Sequence, residues 1–227
     1  MTTDPTAVLD SSGREALRTV LALLATERAS VSSVVDPEQA WKVHVADSLT
    51  ALDVPQLRTA GRIADIGSGA GFPGLPLAVA LPGAELDLIE SIGRKCEFIR
   101  AAIGAAGIAN ARVLDCRSED LAKTEARETY GVVTARAVGR LSTLAELASP
   151  LLCEGGSLIA WKGKRDPDEE SQLERAEDAL AMRPERILAV GPYAGSKHRH
   201  LHVIRKTGPT PADLPRRPGL AKKRPRG

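Results

Sequence analysis

Residues 62–76, RIADIGSGAGFPGLP, constrain the fold more than any other stretch of the chain. Ile63 to Ile66 read as a short buried strand. The glycine-rich turn Gly67-Ser68-Gly69-Ala70-Gly71 follows, and Phe72-Pro73-Gly74 opens an apolar run of helical character. Strand, glycine turn and helix start together build the nucleotide-binding corner of a doubly wound α/β fold. Glycine supplies positive φ and lets a ligand approach the backbone closely. Open N–H groups at the helix start would suit a carboxylate or phosphate, and Pro73 fits the first helical turn.

Such a turn also occurs as a ligand-free connection, and two details narrow the reading. The dinucleotide pattern G-x-G-x-x-G requires glycine at position 72, where Phe72 stands. The next strand, Ala84 to Ile89, ends in Glu90, about two dozen residues after the first glycine, where an acid can accept hydrogen bonds from a ribose diol. An adenosine-containing ligand is expected, and the spacing favours S-adenosylmethionine over NAD.

The 227 residues suit one large α/β domain or a domain with a modest extension. A net charge of +2 says little about partners, whereas the basic last stretch says more. Cys96, Cys116 and Cys153 show no metal-ligand spacing, so no metal is expected and a reduced cytoplasmic setting is the simplest reading. MTTDPTAVLD has neither a basic nor an apolar leader region, so no signal peptide is expected. No apolar run is long enough to span a bilayer.

Leu17, Val20, Leu21 and Leu24 predict a helix between Asp10 and Arg28, with Ser11 or Ser12 as its cap. Asp36-Pro37-Glu38 predicts a second helix through AWKVHVADSLTAL. These precede the first strand, so residues 1–58 are expected as an N-terminal helical extension, 59–207 as the Rossmann-like domain and 208–227 as a flexible basic tail. His44 and Asp47 share a helix face, either as a hydrogen-bonded surface pair or as an overhang that contacts substrate. Arg94 and Lys95 open the helix after Glu90, where cations oppose the helix dipole; RNA phosphate or plain solvent would accommodate them.

Further strands are expected at Ala111–Leu114, Tyr130–Thr134, Ser157–Trp161, Ile187–Val190 and His200–Ile204. The loop Asp115 to Asp120 follows a strand's carboxyl end and either reads an adenine edge or simply connects. Arg136 faces the same cleft, to be met by Glu119, the cofactor's methionine carboxylate or the substrate. Lys162-Gly163-Lys164-Arg165 clusters cations at another strand end. Asp166 to Met182 reads as a solvated acidic helix. The short link Gly191 to Gly195 implies a terminal antiparallel pair. The tail carries Arg216, Arg217, Lys222, Lys223, Arg224 and Arg226 among prolines and glycines, suited to phosphate contact or to solubility.

DIGSGAGFPGLPLA (65–78), ESIGRK (90–95), RSED (117–120), ARAV (135–138), WKG (161–163), Arg199-His200 and the H-x-x-D-S of His44, Asp47 and Ser48 stand together in one chain. From Asp36 onward it resembles the glucose-inhibited division protein B family, whose members methylate N7 of one guanine in small-subunit (16S) ribosomal RNA. The resemblance implies the α/β fold of class I S-adenosylmethionine-dependent methyltransferases, seven-stranded, mostly parallel, with an antiparallel terminal hairpin. It implies cofactor contacts at Asp65, Gly67, Ser68, Gly69, Gly71, Phe72, Glu90, Ser118, Glu119 and Arg136, with Ser118-Glu119 by the adenine. Arg136 and His44 become the catalytic candidates, orienting the guanine through O6 or its phosphate. Arg94, Lys95, Lys162, Arg199, Arg216, Arg217, Lys222 and Lys223 become the RNA contacts. Phe72 and Trp161 are the available stacking platforms. The substrate is then ribosomal RNA or the assembled small subunit, with no membrane partner and a monomeric chain. The family often has Asn-Leu-Thr ahead of Asp36, where this chain has Ser30-Val31-Ser32-Ser33. Two other readings share the cofactor corner: a small-molecule methyltransferase, and an RNA-binding cofactor sensor without turnover.

Overall fold

The computed structural model describes residues 4–26, 34 and 36–227; Ser30 lies outside them. The first helix, α1 (Ser11–Thr26), buries Leu17, Val20, Leu21 and Leu24, as their spacing requires. Its cap is Asp10 rather than a serine: Oδ1 accepts from the Gly13 amide at 2.7 Å and from Ser12 Oγ at 2.9 Å. Asp36 caps α2 (Pro37–Ala40), accepting from the Gln39 amide at 2.7 Å. The expected single second helix is instead composite. A π-helical turn (Trp41–Ala46) follows α2, then α3 (Asp47–Leu49), a 3-10 turn (Thr50–Asp53) and α4 (Pro55–Thr59). Ser48 Oγ and Thr50 Oγ1 donate back to the carbonyls of His44 and Asp47, an alternative to regular helix bonding that loosens the ladder.

The chain then alternates: β1 (Arg62–Ile66), α5 (Gly74–Ala80), β2 (Glu85–Glu90), α6 (Gly93–Ala106), β3 (Ala111–Asp115) and α7 (Ser118–Leu121). It continues with β4 (Tyr130–Arg136), α8 (Leu141–Ala148), β5 (Leu152–Lys162), α9 (Pro167–Arg175), α10 (Glu177–Leu180), β6 (Met182–Ala189), β7 (His200–Lys206) and α11 (Leu220–Lys223). The sheet order is β3-β2-β1-β4-β5-β7-β6. β1 to β5 run parallel, while β7 lies antiparallel between β5 and β6. The expected acidic helix from Asp166 is instead two helices, broken at Ala176, and the second ends where Ala181 takes a left-handed conformation (φ 51°) and turns the chain into β6.

Alternate residues of each strand feed two cores. Ile63, Leu86, Leu88, Val132 and Ile159 face α1, α5 and α6, so the N-terminal helices pack on that side. Ala64, Ile66, Val133, Leu158 and Ala160 face the layer of α8 and α9. Continuous apolar strands buried on both faces are what a mostly parallel sheet demands.

Two buried charged groups tie strands of the sheet to one another and to the adjoining loops. Asp87 accepts from Arg112 Nε at 2.5 Å, Tyr130 Oη at 2.6 Å and Arg62 Nη2 at 3.0 Å. Burial alone would raise its pKa, but Arg112, Tyr130 and Arg62 together bring it below the ordinary value. Lys206, at 1% exposure, donates to Glu128 Oε1 at 2.6 Å, Leu152 O at 2.7 Å and Thr210 Oγ1 at 2.7 Å. Bonds from Lys206 and Thr210 hold the Glu128 carboxyl down at about 2. Glu128→Ala is expected to cost about 3–5 kcal/mol of unfolding free energy, because it leaves a buried ammonium without its counter-charge. Urea denaturation measures this; a loss below about 1 kcal/mol, the range of a surface pair, would refute it.

Candidate active site

Apart from the tail's cations, the side chains expected to meet cofactor or substrate lie at or near the carboxyl ends of β1 to β5, where an open α/β sheet binds ligands. The glycine turn after β1 is held from several sides. Gly67 and Ser68 amides donate to Ile89 O at 2.8 and 3.1 Å, and Gly71 and Phe72 amides to Ser68 O at 2.8 and 3.1 Å. Asp65, at 1% exposure, accepts from Thr134 Oγ1 at 2.8 Å and from the Gly74 amide at 3.2 Å. Most amides expected to stay open for an anion are therefore engaged within the turn. Asp65 and Ser68, expected as cofactor contacts, brace the turn from beneath; Ser68 Oγ donates to Asp65 O at 2.8 Å. At Gly67 (φ 67°) an added Cβ would sit 2.7 Å from Val138 Cγ2, and at Gly71 (φ 87°) 2.5 Å from Leu75 Cδ1. Both positions require glycine.

Glu90 closes the turn on its far side. Oε2 accepts from the Gly69 amide at 3.0 Å, and Oε1 from the Ser91 and Ile92 amides at 2.8 and 3.0 Å. Its carboxylate lies in the wall of a cavity of about 410 Å³ that also includes Gly67, Ile92, Lys95, Ser118, Glu119 and Val138. That volume lies in the range of small-molecule sites, about 300–1,000 Å³. Among the expected cofactor contacts, Gly67, Glu90, Ser118 and Glu119 line this cavity. Lys95, expected at RNA, is in its wall as well.

A second cleft, of about 230 Å³, is lined by Asp47, Arg136, Ala137, Trp161, Lys162, Arg199 and His200 among others. Ala137 lines both spaces, with a left-handed backbone (φ 59°) just after β4. Arg136 ends β4, and the residues meeting it are Asp47 and Val43, not Glu119. Nη1 donates to Asp47 Oδ2 at 3.1 Å and Val43 O at 3.2 Å, and Nη2 lies 3.5 Å from His44 Nδ1. Its guanidinium also sits 5.8 Å from the centre of the Phe72 ring, on which His44 stacks at 4.7 Å. Asp47 is 5% exposed; its Oδ1 has no hydrogen-bond partner among the described residues, and Arg199 Nε is 3.9 Å away.

Burial, and then the charge of Arg136, push the His44 pKa down to about 4. Because arginine only donates, Nδ1 holds the lone pair and Nε2 the proton. Such a group contributes stability fully above pH 6.5 and loses that contribution as pH falls through about 4. Asp65, raised to about 6 by burial, acts in reverse: its share is complete below pH 3.8 and fades as pH rises through about 6. His44→Phe should therefore flatten the fall in stability between pH 6.5 and 4 relative to the parent. Unfolding curves across that range test this, and identical slopes would refute it.

Other expected contacts are placed differently. Lys162 Nζ is engaged by Glu169 Oε1 at 2.6 Å and Gly139 O at 3.1 Å, so it does not face outward. Glu169 in turn accepts from the Leu141 amide at 2.6 Å, which makes α9 a structural brace rather than a solvated face. Trp161 is 6% exposed and donates from Nε1 to Asp47 O at 2.9 Å, so it is no stacking platform. Arg94, Arg217, Lys222 and Lys223 are exposed, and the Arg199 side chain is 41% exposed. Arg216 pairs in a two-pronged contact with buried Glu146. Residues 208–227 follow a defined course against α7, α8 and α9, in contrast to the flexible tail their composition predicts. Sequence reasoning missed Asp47 as the partner of Arg136; the H-x-x-D spacing placed Asp47 and His44 on one face but gave no sign of the strand end that this face meets.

The architecture and the sequence both have known relatives. A ribosomal RNA small subunit methyltransferase G from Pelotomaculum thermopropionicum is 43% identical over 187 residues, covering 80% of this chain and 77% of the relative. One from Rubrobacter xylanophilus is 40% identical over 230 residues, covering 96% and 88%. Among solved structures, a SAM dependent methyltransferase from Aquifex aeolicus superposes with a TM-score of 0.56 at 18% identity, covering 80% of this chain and 99% of that one. The family described as rRNA small subunit methyltransferase G (GidB) matches residues 15–201, and the chain belongs to that family.

Proposed function

We propose that the protein transfers a methyl group from S-adenosylmethionine to N7 of a guanine in small-subunit ribosomal RNA. The observation that carries this reading is the junction at Ala137: a cavity of small-molecule size opens on one side and a cleft containing Arg136 on the other. The residues present suit the cofactor. Glu90 offers carboxylate oxygens for a ribose diol, Ser118 and Glu119 offer polar atoms for an adenine edge, and Ile92 and Val138 offer apolar walls.

When bound, the cofactor supplies an electrophilic methyl on a sulfonium, and guanine N7 carries a free lone pair, so no proton has to be removed. The chain's task is then placement and electrostatics. Arginine has five N–H donors; Arg136 commits three to Val43, Asp47 and His44 and keeps two for the guanine O6 or phosphate. Asp47 fixes the guanidinium and offsets its charge, so positive charge arriving on the purine meets a nearly neutral pair. Neutral His44 stacks on the same Phe72 ring that the Arg136 guanidinium faces, and so helps to hold that guanidinium in place. Arg94, Arg199, Arg217, Lys222 and Lys223 supply a cationic rim for the RNA backbone. We further infer a monomer acting in the cytoplasm; no helix among the described residues is long and apolar enough to cross a membrane.

The test is transfer of labelled methyl from S-adenosylmethionine to small ribosomal subunits from a strain lacking this protein, with subunits from the intact strain as control. Label confined to the unmodified RNA and mapping to guanine N7 is expected. Cofactor binding without label would favour a small-molecule substrate or a sensor.

A further inference from the structure

The C-terminal segment lies beyond the residues 15–201 that carry the family match. Its sequence reads as a solvated basic tail, yet it is fastened at several points. Leu214 is 3% exposed, and its carbonyl accepts from Arg127 Nη1 at 3.1 Å. Arg216 grips Glu146, itself 3% exposed, by both carboxylate oxygens. Ala221 O accepts from Thr143 Oγ1 at 3.3 Å. The Gly219 amide donates to Glu119 Oε1 at 2.8 Å.

These attachments bring Gly219, Ala221 and Lys222 into the wall of the 410 Å³ cavity, which Gly67 and Glu90 also line. We propose that residues 214–222 are an integral wall of the cofactor site, closing its Ser118-Glu119 end. The Glu119 carboxylate is clamped between Ser118 Oγ at 3.2 Å on one oxygen and the Gly219 amide on the other. Each oxygen keeps a second acceptor direction, so the clamped carboxylate is pre-positioned for an N–H donor such as the exocyclic amine of adenine. Pre-positioning lowers the ordering cost of binding. Gly219 sits at φ 78°, and a Cβ built there meets nothing within 4 Å. Its place in the wall therefore depends on backbone conformation and on its amide, not on lack of room. The inference rests on the cavity being the cofactor site.

The test uses the full-length chain and calorimetric titration with S-adenosylmethionine. Gly219→Pro removes the donor and forbids the left-handed backbone, and should weaken binding about tenfold, as loss of a bond to a charged group and of wall contacts implies. Gly219→Asn keeps the amide and tolerates positive φ, and should bind within about twofold of the parent. Glu90→Ala serves as the control at a wall residue outside the tail and should bind far more weakly. Should Gly219→Pro bind like the parent while Glu90→Ala does not, the tail proposal fails and the cavity assignment stands. If both variants bind like the parent, the cavity is not the cofactor site and both ideas fall. On the unaltered chain, saturating cofactor should slow tryptic cleavage after Lys222 and Lys223, both exposed, several-fold; unchanged cleavage would also overturn the proposal.

Discussion

Arg136→Ala is expected to lower methyl transfer by about two to three orders of magnitude, the effect of removing one preorganised donor from a water-poor site. Cofactor affinity should stay close to the parent's, because Arg136 borders the cleft rather than the 410 Å³ cavity. The fold should survive, although Asp47 is then a buried carboxylate left with only the more distant Arg199 as counter-charge, and some stability is lost. Arg136→Ala combined with Asp47→Asn removes that complication and should remain equally inactive. Single-turnover transfer to small subunits at saturating cofactor is the measurement. A rate within about threefold of the parent, far short of the donor effect, would take Arg136 out of the mechanism.

The second large effect belongs to Glu90. Its carboxylate accepts three backbone N–H groups, from Gly69, Ser91 and Ile92, and borders the cavity. Glu90→Ala orphans those donors, loosens the glycine turn and deletes the acceptor assigned to the ribose diol. A loss of about 100-fold in affinity for S-adenosylmethionine is expected, from two bonds to a charged acceptor at about 1.5 kcal/mol each. Glu90→Gln should be intermediate, since one amide oxygen still accepts while the amide nitrogen cannot. Equilibrium titration decides the ranking, and an alanine variant that binds as well as glutamine would contradict the proposed contact.

What could be read from sequence was local. The strand, glycine turn and helix of residues 62–80 are written in short-range pattern, and the terminal hairpin in a link too short for a crossover. Arg136 was placed in the cleft by its position at a strand end. Its partner Asp47 was harder to see, because it comes from a helix that precedes the sheet by sequence and folds back over it. Lys162 looked outward in a run of cations; only the docking of α9 brings Glu169 to neutralise it. The tail misled for the same reason. Proline, glycine and cations specify no packing by themselves, and the acids that hold them, Glu119 and Glu146, lie far upstream. Charges whose partners arrive by tertiary folding look solvated until the fold is known.

The π-helical turn at Trp41–Ala46 carries a consequence for how this enzyme can vary. Each residue of an α-helix advances by about 100°, so shortening that turn by one residue would twist one flank against the other. Trp41 and Val45 could then stay packed, or the Asp47 carbonyl could keep its bond from Trp161, but not both. The wide turn works as a vernier between an anchoring half and a working half of a single rod. Natural variants should accordingly preserve its length, and a one-residue deletion there should leave the 410 Å³ cavity intact and the Arg136 cleft misaligned.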